Sequence, residues 1–151
     1  MKTTATVRFA QPEDRDAFLE MWEDFVNTDP AEPGDRDIGC INWDRITDPA
    51  NALLCLIAVD AQDCPQGFLL YLTFPFTWSK GNACYLQDIF VRAEVRGQGY
   101  AGALIRHLEV IGRTDGWYKI FWMTQKDNTT AQRLYDRIGL RRDYIRYDLI
   151  I

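Results

Sequence analysis

A chain of 151 residues with a net charge of −5 suits one domain, because a fold of this size buries about 68–70% of the surface its unfolded form exposes and needs no staples. The acidic balance argues against DNA or RNA, whose binding depends on basic residues that neutralise phosphates, and it suits a cationic substrate without locating one. Cys40, Cys55, Cys64 and Cys84 make no C-x-x-C pair and His107 is the one histidine, which argues against a metal site and for reduced thiols in a cytoplasmic protein.

The head of the chain, Met1 to Arg8, has no apolar signal core, and the longest apolar run, Ala52 to Val59, is too short to span a bilayer, so no membrane partner is expected. Thr4 to Phe9 alternates apolar and polar and reads as a strand. Gln11-Pro12-Glu13-Asp14 starts a helix, with proline in the first turn and acids at the positive end of the dipole. Its buried face is Ala17, Phe18, Met21, Trp22, Phe25 and Val26, and it ends near Asn27 to Pro30. Ala31 to Gly39 is a polar loop, and Trp43 and Ile46 mark a short second helix before Asp48-Pro49.

Ala52 to Val59 reads as a strand buried on nearly both faces, and Asp60 to Pro65 as a hairpin turn. Gly67 to Phe76 is the next strand, with Pro75 at an edge or bulge, and Ala83 to Val91 follows after the turn Thr77 to Asn82. A helix then runs from about Gly99 to Thr114, with Leu104, Ile105, Leu108 and Ile111 inward. Tyr118 to Met123 is a strand, and Lys126 to Gly139 a helix that turns Ala131, Leu134, Tyr135 and Ile138 inward, with Gly139 as its stop. Tyr144 to Ile151 alternates and should be a final strand. This order packs as a single α/β (α+β) domain over residues 1–151, a mixed sheet with helices on both faces.

The stretch Tyr85 to Leu104 carries the chemistry: a buried strand, a turn, a glycine-rich loop and the start of a helix. The free N–H groups and dipole of a helix's first turn hold phosphate, and glycine lets backbone approach a ligand. Gly97-Gln98-Gly99-Tyr100-Ala101-Gly102 spells G-x-G-x-x-G, but Arg92 to Arg96 separate it from its strand and no acid closes the following strand at Phe121 to Thr124. Both facts argue against a dinucleotide. No G-x-x-x-x-G-K-[ST] is present, which excludes a P-loop.

Arg96-Gly97-Gln98-Gly99-Tyr100-Ala101 resembles the [QR]-x-x-G-x-[GA] acyl-CoA signature of the GNAT N-acetyltransferases. Asn128 to Tyr135, followed by Ile138-Gly139, is similar to that family's N-x-x-A-x-x-x-Y…G helix. Two motifs in the right order over about residues 83–140 are more specific than either alone, and the run Trp122 to Gln125 looks most like the small histone- and polyamine-acetyltransferase branch. The resemblance implies a mostly antiparallel central sheet flanked by helices. It implies acetyl transfer from acetyl-CoA to a primary amine (a polyamine, a small amino compound or the lysine of a peptide) by direct attack in a ternary complex. A CoA-binding regulatory or sensor module without turnover is the alternative, and association as a homodimer through an edge strand such as Tyr144 to Ile151 is a further expectation.

The resemblance also assigns roles. Backbone N–H groups of Arg96, Gly97, Gln98, Gly99, Tyr100 and Ala101 would hold the pyrophosphate, with added charge from Arg96. The pantetheine arm would run along Ile89, Phe90 and Val91, where a backbone N–H polarises the thioester. Tyr135 is the candidate general acid, a phenol able to protonate the departing thiolate; as a plain core aromatic it would leave only its hydroxyl at the rim. Asn128 would cap its helix and bind the cofactor. Gln87, an amide and no base, stands where several diamine-acetylating relatives carry a glutamate; strand alternation puts the nearest carboxylate, Asp88, on the opposite face, where it is equally a structural acceptor, and a water relay through backbone and Gln87 stays open. Glu32, Asp35 and Asp37, with Trp43 and Trp78, could receive a cation, although a solvated loop over packed aromatics is the preferred reading. Periodicity puts His107 on the surface of its helix.

Overall fold

The computed structural model describes residues 5–28 and 38–151. The expected loop acids Glu32, Asp35 and Asp37 lie outside the described residues, as does Thr4 at the head of the expected first strand. Strand β1 is Thr6–Phe9, and a short 3-10 turn at Pro12–Asp14 leads into helix α1, Arg15–Thr28. Helix α2 is Gly39–Thr47. Strands β2 (Leu54–Val59), β3 (Pro65–Phe74) and β4 (Ala83–Val91) follow, then helix α3 (Tyr100–Thr114), strand β5 (Lys119–Phe121) and helix α4 (Thr129–Ile138).

The strands lie in sequence order, β1-β2-β3-β4-β5, in one sheet. The first three pairings are antiparallel and β4–β5 is parallel, so the expected mixed, mostly antiparallel sheet is present. Its two faces bury separate apolar clusters. Phe18, Met21, Trp22 and Trp43 of α1 and α2 pack on Cys55, Ile57, Val59, Phe68, Leu70 and Phe90. Leu104, Ile105 and Leu108 of α3 pack on Leu56, Leu69, Tyr71, Cys84 and Leu86 of the opposite face. Even-numbered and odd-numbered β2 residues go to opposite clusters, as a period of two requires, and Leu56, Ile57 and Ala58 are all fully buried.

Trp43 is therefore a core residue, with its ring 5.3 Å from that of Phe18, while Trp78 is exposed. His107 is half-buried rather than superficial. The start of α1 is pinned by Arg8 of β1, which donates to both Asp14 oxygens at 2.7 and 3.0 Å while Gln11 N–H donates to Asp14 Oδ2 at 2.8 Å. Burial alone would raise the Asp14 pKa; the hydrogen bonds and charge of Arg8, with the Gln11 N–H, outweigh it and hold the carboxyl below its ordinary range.

Two expectations are corrected. Tyr144 to Ile151 forms no strand: residues 140–151 have no regular secondary structure, and Tyr144, Ile145, Tyr147, Leu149, Ile150 and Ile151 are each at least 79% exposed. Alternation signals strand propensity, but a strand forms only against a ladder partner, and this segment pairs with no edge among the described residues. The strand expected from Tyr118 to Met123 is only Lys119–Phe121. Gly139 does cap α4, but with extended backbone, φ −130°. Space is what demands glycine there: an added Cβ would lie 3.1 Å from the Trp122 indole. No helix among the described residues is long and apolar enough to cross a membrane.

Candidate active site

The site begins with a fault in a ladder. Leu70 of β3 is opposite Asp88, and the next residue, Tyr71, is opposite Leu86, so Gln87 is skipped. It is the extra residue of a β-bulge, which bends the strand and re-aims its side chains. Leu86 joins the α3 face and Phe90 the α1 face; the change of parity is taken up at Gln87. The reading that put Asp88 on the face opposite Gln87 is thereby corrected. Both line one cavity of about 240 Å³, under α2, together with Asn42, Arg45, Asn51 and Leu70. Two consecutive polar residues inside an otherwise apolar strand were the sequence signal of this bulge.

Beside the bulge the sheet opens. β4 pairs with β5 only at Ala83, Cys84 and Tyr85, opposite Lys119, Ile120 and Phe121. β4 continues to Val91 and keeps its β3 ladder along the other edge, whereas β5 ends at Phe121. The edge of Leu86 to Val91 that faces away from β3 thus has no β5 partner. Its peptide groups are a row of donors and acceptors that a ligand amide can pair with. Phe90 itself is buried, its ring 5.7 Å from that of Phe68, so what Phe90 offers to the gap is its backbone, between the half-buried Ile89 and Val91.

The far end of β4 leads through a 3-10 turn, Ala93–Val95, into the glycine loop. Gly97 and Gly99 have φ of +78° and +95°, the left-handed region that favours glycine. Gly99 is the N-cap of α3, and its carbonyl accepts from Ala103 N–H at 2.9 Å. The first N–H groups of α3, from Tyr100 and Ala101 onward, have no carbonyl a turn behind them. An added Cβ at Gly97 or Gly99 would meet nothing within 4 Å, so the space above the loop is open. Tyr100 is buried and offers only backbone. Arg96 Nε donates to Val91 O at 3.0 Å and the guanidinium lies 5.7 Å from the centre of the Phe90 ring, which ties the loop back to the strand and leaves the outer guanidinium nitrogens facing out. Gln98 is exposed, with its N–H on Val95 O.

Helix α4, which follows β5, carries Tyr135 on the side packed against the α3-face cluster. Its ring is half-buried and packs edge-on against Trp122 at 5.4 Å, and burial pushes the phenol pKa up. The phenol is therefore protonated throughout the physiological range. Asn128 caps α4: Oδ1 accepts from Ala131 N–H at 3.3 Å, and Nδ2 donates to Thr124 Oγ1 at 3.2 Å. Gln132 Nε2 donates to Gln125 O and Lys126 O at 2.9 and 3.0 Å and fastens the loop before the cap. The sequence reading missed Asn42, Arg45 and Asn51, since nothing local links α2 and the following turn to β4.

A model of the Acetyltransferase (GNAT) family matches residues 15–140. The chain belongs to this family. Members transfer acetyl groups, so this is an acetyl-transferring enzyme, and the family's co-substrate is acetyl-CoA. This GNAT domain is 25% identical over 144 residues to a D-amino-acid N-acetyltransferase of Saccharomyces cerevisiae, a match covering 93% of this chain and 88% of the yeast protein. It is 33% identical over 76 residues to a thialysine N-epsilon-acetyltransferase of Bos taurus, covering 50% of this chain and 44% of the bovine one. Among solved structures, a ribosomal-protein-alanine N-acetyltransferase of Brucella melitensis biovar Abortus 2308 superposes with a TM-score of 0.80 at 20% identity, over 97% of this chain and 99% of that one. That likeness speaks for the fold.

Proposed function

We propose that this acetyltransferase moves the acetyl group of acetyl-CoA directly to a primary amine held in the cavity at the β4 bulge. The observation that carries the reading is the meeting, at Gln87 and Asp88, of an amine-sized cavity on the α2 side with the stretch of β4 that β5 does not reach. The stretch of β4 beyond the reach of β5 suits a pantetheine arm beside Ile89, Phe90 and Val91. The loop Arg96 to Ala101, open above two left-handed glycines, suits a pyrophosphate on the N–H groups of Gly97, Gly99, Tyr100 and Ala101, while the Gln98 N–H is held by Val95 O. Asn128 keeps one amide hydrogen beyond its cap for the same ligand.

The amine nitrogen forms a bond to the acetyl carbon and the carbon–sulfur bond breaks. An alkyl ammonium with a pKa near 10.4 is neutral in only about one molecule in a few thousand at pH 7, so its proton needs an acceptor; Asp88 is the carboxylate of the cavity and fills that role. The sulfur leaves as a thiolate and takes the Tyr135 proton. A cavity of about 240 Å³ has room for a small free amine. The relatives' names, a D-amino-acid and a thialysine acetyltransferase, favour such a substrate. The test is release of free CoA across a panel of polyamines, amino acids of both hands and lysine peptides. At least one small amine is expected to turn over faster than any peptide; a protein that binds CoA yet releases none across the panel overturns the reading.

Two further parts of the reading concern the setting. All four cysteines are free thiols, which supports a reducing, cytoplasmic environment. The apolar segment Tyr144 to Ile151, exposed in the single chain, supports a homodimer in which each copy covers the other's segment. Sedimentation at micromolar concentration is expected to give a dimer that deletion of residues 144–151 converts to monomer; a monomeric full-length chain refutes it.

A further inference from the structure

We infer that the amine this enzyme acetylates also carries a carboxylate, and that Arg45 is the residue that binds it. The inference rests on the proposal that the amine sits at the β4 bulge and adds the chemistry of its other end.

The cavity has a cation on one wall. Asn42 and Arg45 are three residues apart on α2, hence on one helical face. Asn42 is 7% exposed, an unusual position for an amide, and its Oδ1 accepts from Arg45 Nη1 at 3.0 Å. That bond fixes one arm of a planar fork. A guanidinium has five N–H donors, and among the described residues Arg45 makes no ion pair with a carboxylate. Arg45 is exposed, so the donors that Asn42 does not take face the solvent-filled side of the cavity, where a carboxylate from outside can reach them. Arginine binds carboxylates through two parallel hydrogen bonds, which fixes orientation as well as charge. Asn51, at the same cavity, adds a second amide.

β4 lines the same cavity with Gln87 and Asp88. The apolar floor is Leu53, Leu70 and Leu72. A cation, a carboxylate and an apolar lining at one cavity match a zwitterion such as a free amino acid. A polyamine carries only positive charge, and each added ammonium would meet Arg45 as a like charge. The carboxylate held by Arg45 would leave the amine to reach Asp88 and the thioester, so recognition and acid–base work are divided between α2 and β4.

The experiment compares each amino acid with the amine made by removing its carboxyl group: lysine with pentane-1,5-diamine, ornithine with butane-1,4-diamine, alanine with ethylamine. In the native enzyme, kcat/KM for at least one acid is expected to exceed that of its decarboxylated partner about 100-fold, the range of a charge-assisted bidentate pair. Arg45→Ala is expected to collapse that ratio to within about threefold, chiefly through KM, and Arg45→Lys to restore part of it, since a lysine keeps the charge and loses the fork. Equal or better use of the decarboxylated amines by the native enzyme overturns the inference, as does an Arg45→Ala ratio like the native one. Calorimetric binding of the amino acids to the enzyme–CoA complex separates this from the amine reading. Binding lost in Arg45→Ala, without turnover of any amine, supports the carboxylate site and sinks the acceptor assignment. Turnover of diamines with no amino-acid binding does the reverse.

Discussion

Tyr135→Phe is expected to lower kcat by about 10²- to 10⁴-fold, the usual worth of a positioned general acid, with little change in the affinity for CoA. The substitution removes one oxygen. The ring stays, and with it the edge-on contact to Trp122, so the thermal midpoint should barely move, and loss of rate cannot be read as loss of fold. The energetics explain why the hydroxyl matters and how it must act. Burial raises the phenol above its ordinary pKa near 10, while a free thiol titrates near 8.5. A stepwise transfer from phenol to a fully formed thiolate is thus uphill by at least about 1.5 units, or about 2 kcal/mol. The same dry surroundings penalise the thiolate, so transfer accompanies cleavage of the carbon–sulfur bond and does not wait for it. The sign of the shift fixes the pH profile. The acid form persists as pH rises, so kcat in the native enzyme should not fall on the alkaline side below about pH 10. An unchanged kcat in the phenylalanine variant removes Tyr135 from the chemistry and leaves it a core aromatic, with water protonating the thiolate.

What the sequence made legible follows from the range of the forces that decide each feature. The elements whose burial is periodic were readable because period and burial are local properties: β2 alternates between the two clusters, and α3 turns Leu104 and Leu108 inward. The glycine loop was readable for the same reason, since Gly97 and Gly99 lie within a few residues of the strand and helix they join and their φ values demand the residue type. The final strand was misread because Tyr144 to Ile151 alternates as well as any strand, yet pairing depends on an edge elsewhere. The cavity was invisible for a related reason. Its walls are α2 and β4, about forty residues apart, and the bulge at Gln87 reverses the facing that simple alternation gives to Asp88. One skipped residue in a ladder moved Asp88 from the face opposite Gln87 to the same cavity. The loop acids considered for the amine lie outside the described residues, whereas α2 gives Trp43 to the core and Asn42 and Arg45 to the cavity lining.

Gly99→Val should weaken CoA binding by about 100-fold, close to 3 kcal/mol at 1.4 kcal/mol per decade. Two effects combine. Valine at φ +95° is held in a conformation that costs L residues about 1–3 kcal/mol, more for a β-branched side chain. The protein itself raises no steric objection, because an added Cβ has no neighbour within 4 Å. The loop can therefore relax by rotating its peptide planes, and that rotation turns the N–H groups of Gly99 and Tyr100 away from the phosphate they would hold. Charge-assisted hydrogen bonds of this kind are worth about 1.5–3 kcal/mol each, so the strain and one lost bond account for the whole effect. Gly99→Ala carries most of the strain and little of the bulk, and a loss of about tenfold is expected. Acetyl-pantetheine, which has no pyrophosphate, supplies the control: the valine variant should use it within about threefold of the native rate. If acetyl-CoA and acetyl-pantetheine suffer alike, the substitution has disturbed α3 and its packing rather than a phosphate site. If neither suffers, the loop from Arg96 to Ala101 does not hold the pyrophosphate, and the left-handed glycines serve only to turn the chain from β4 into α3.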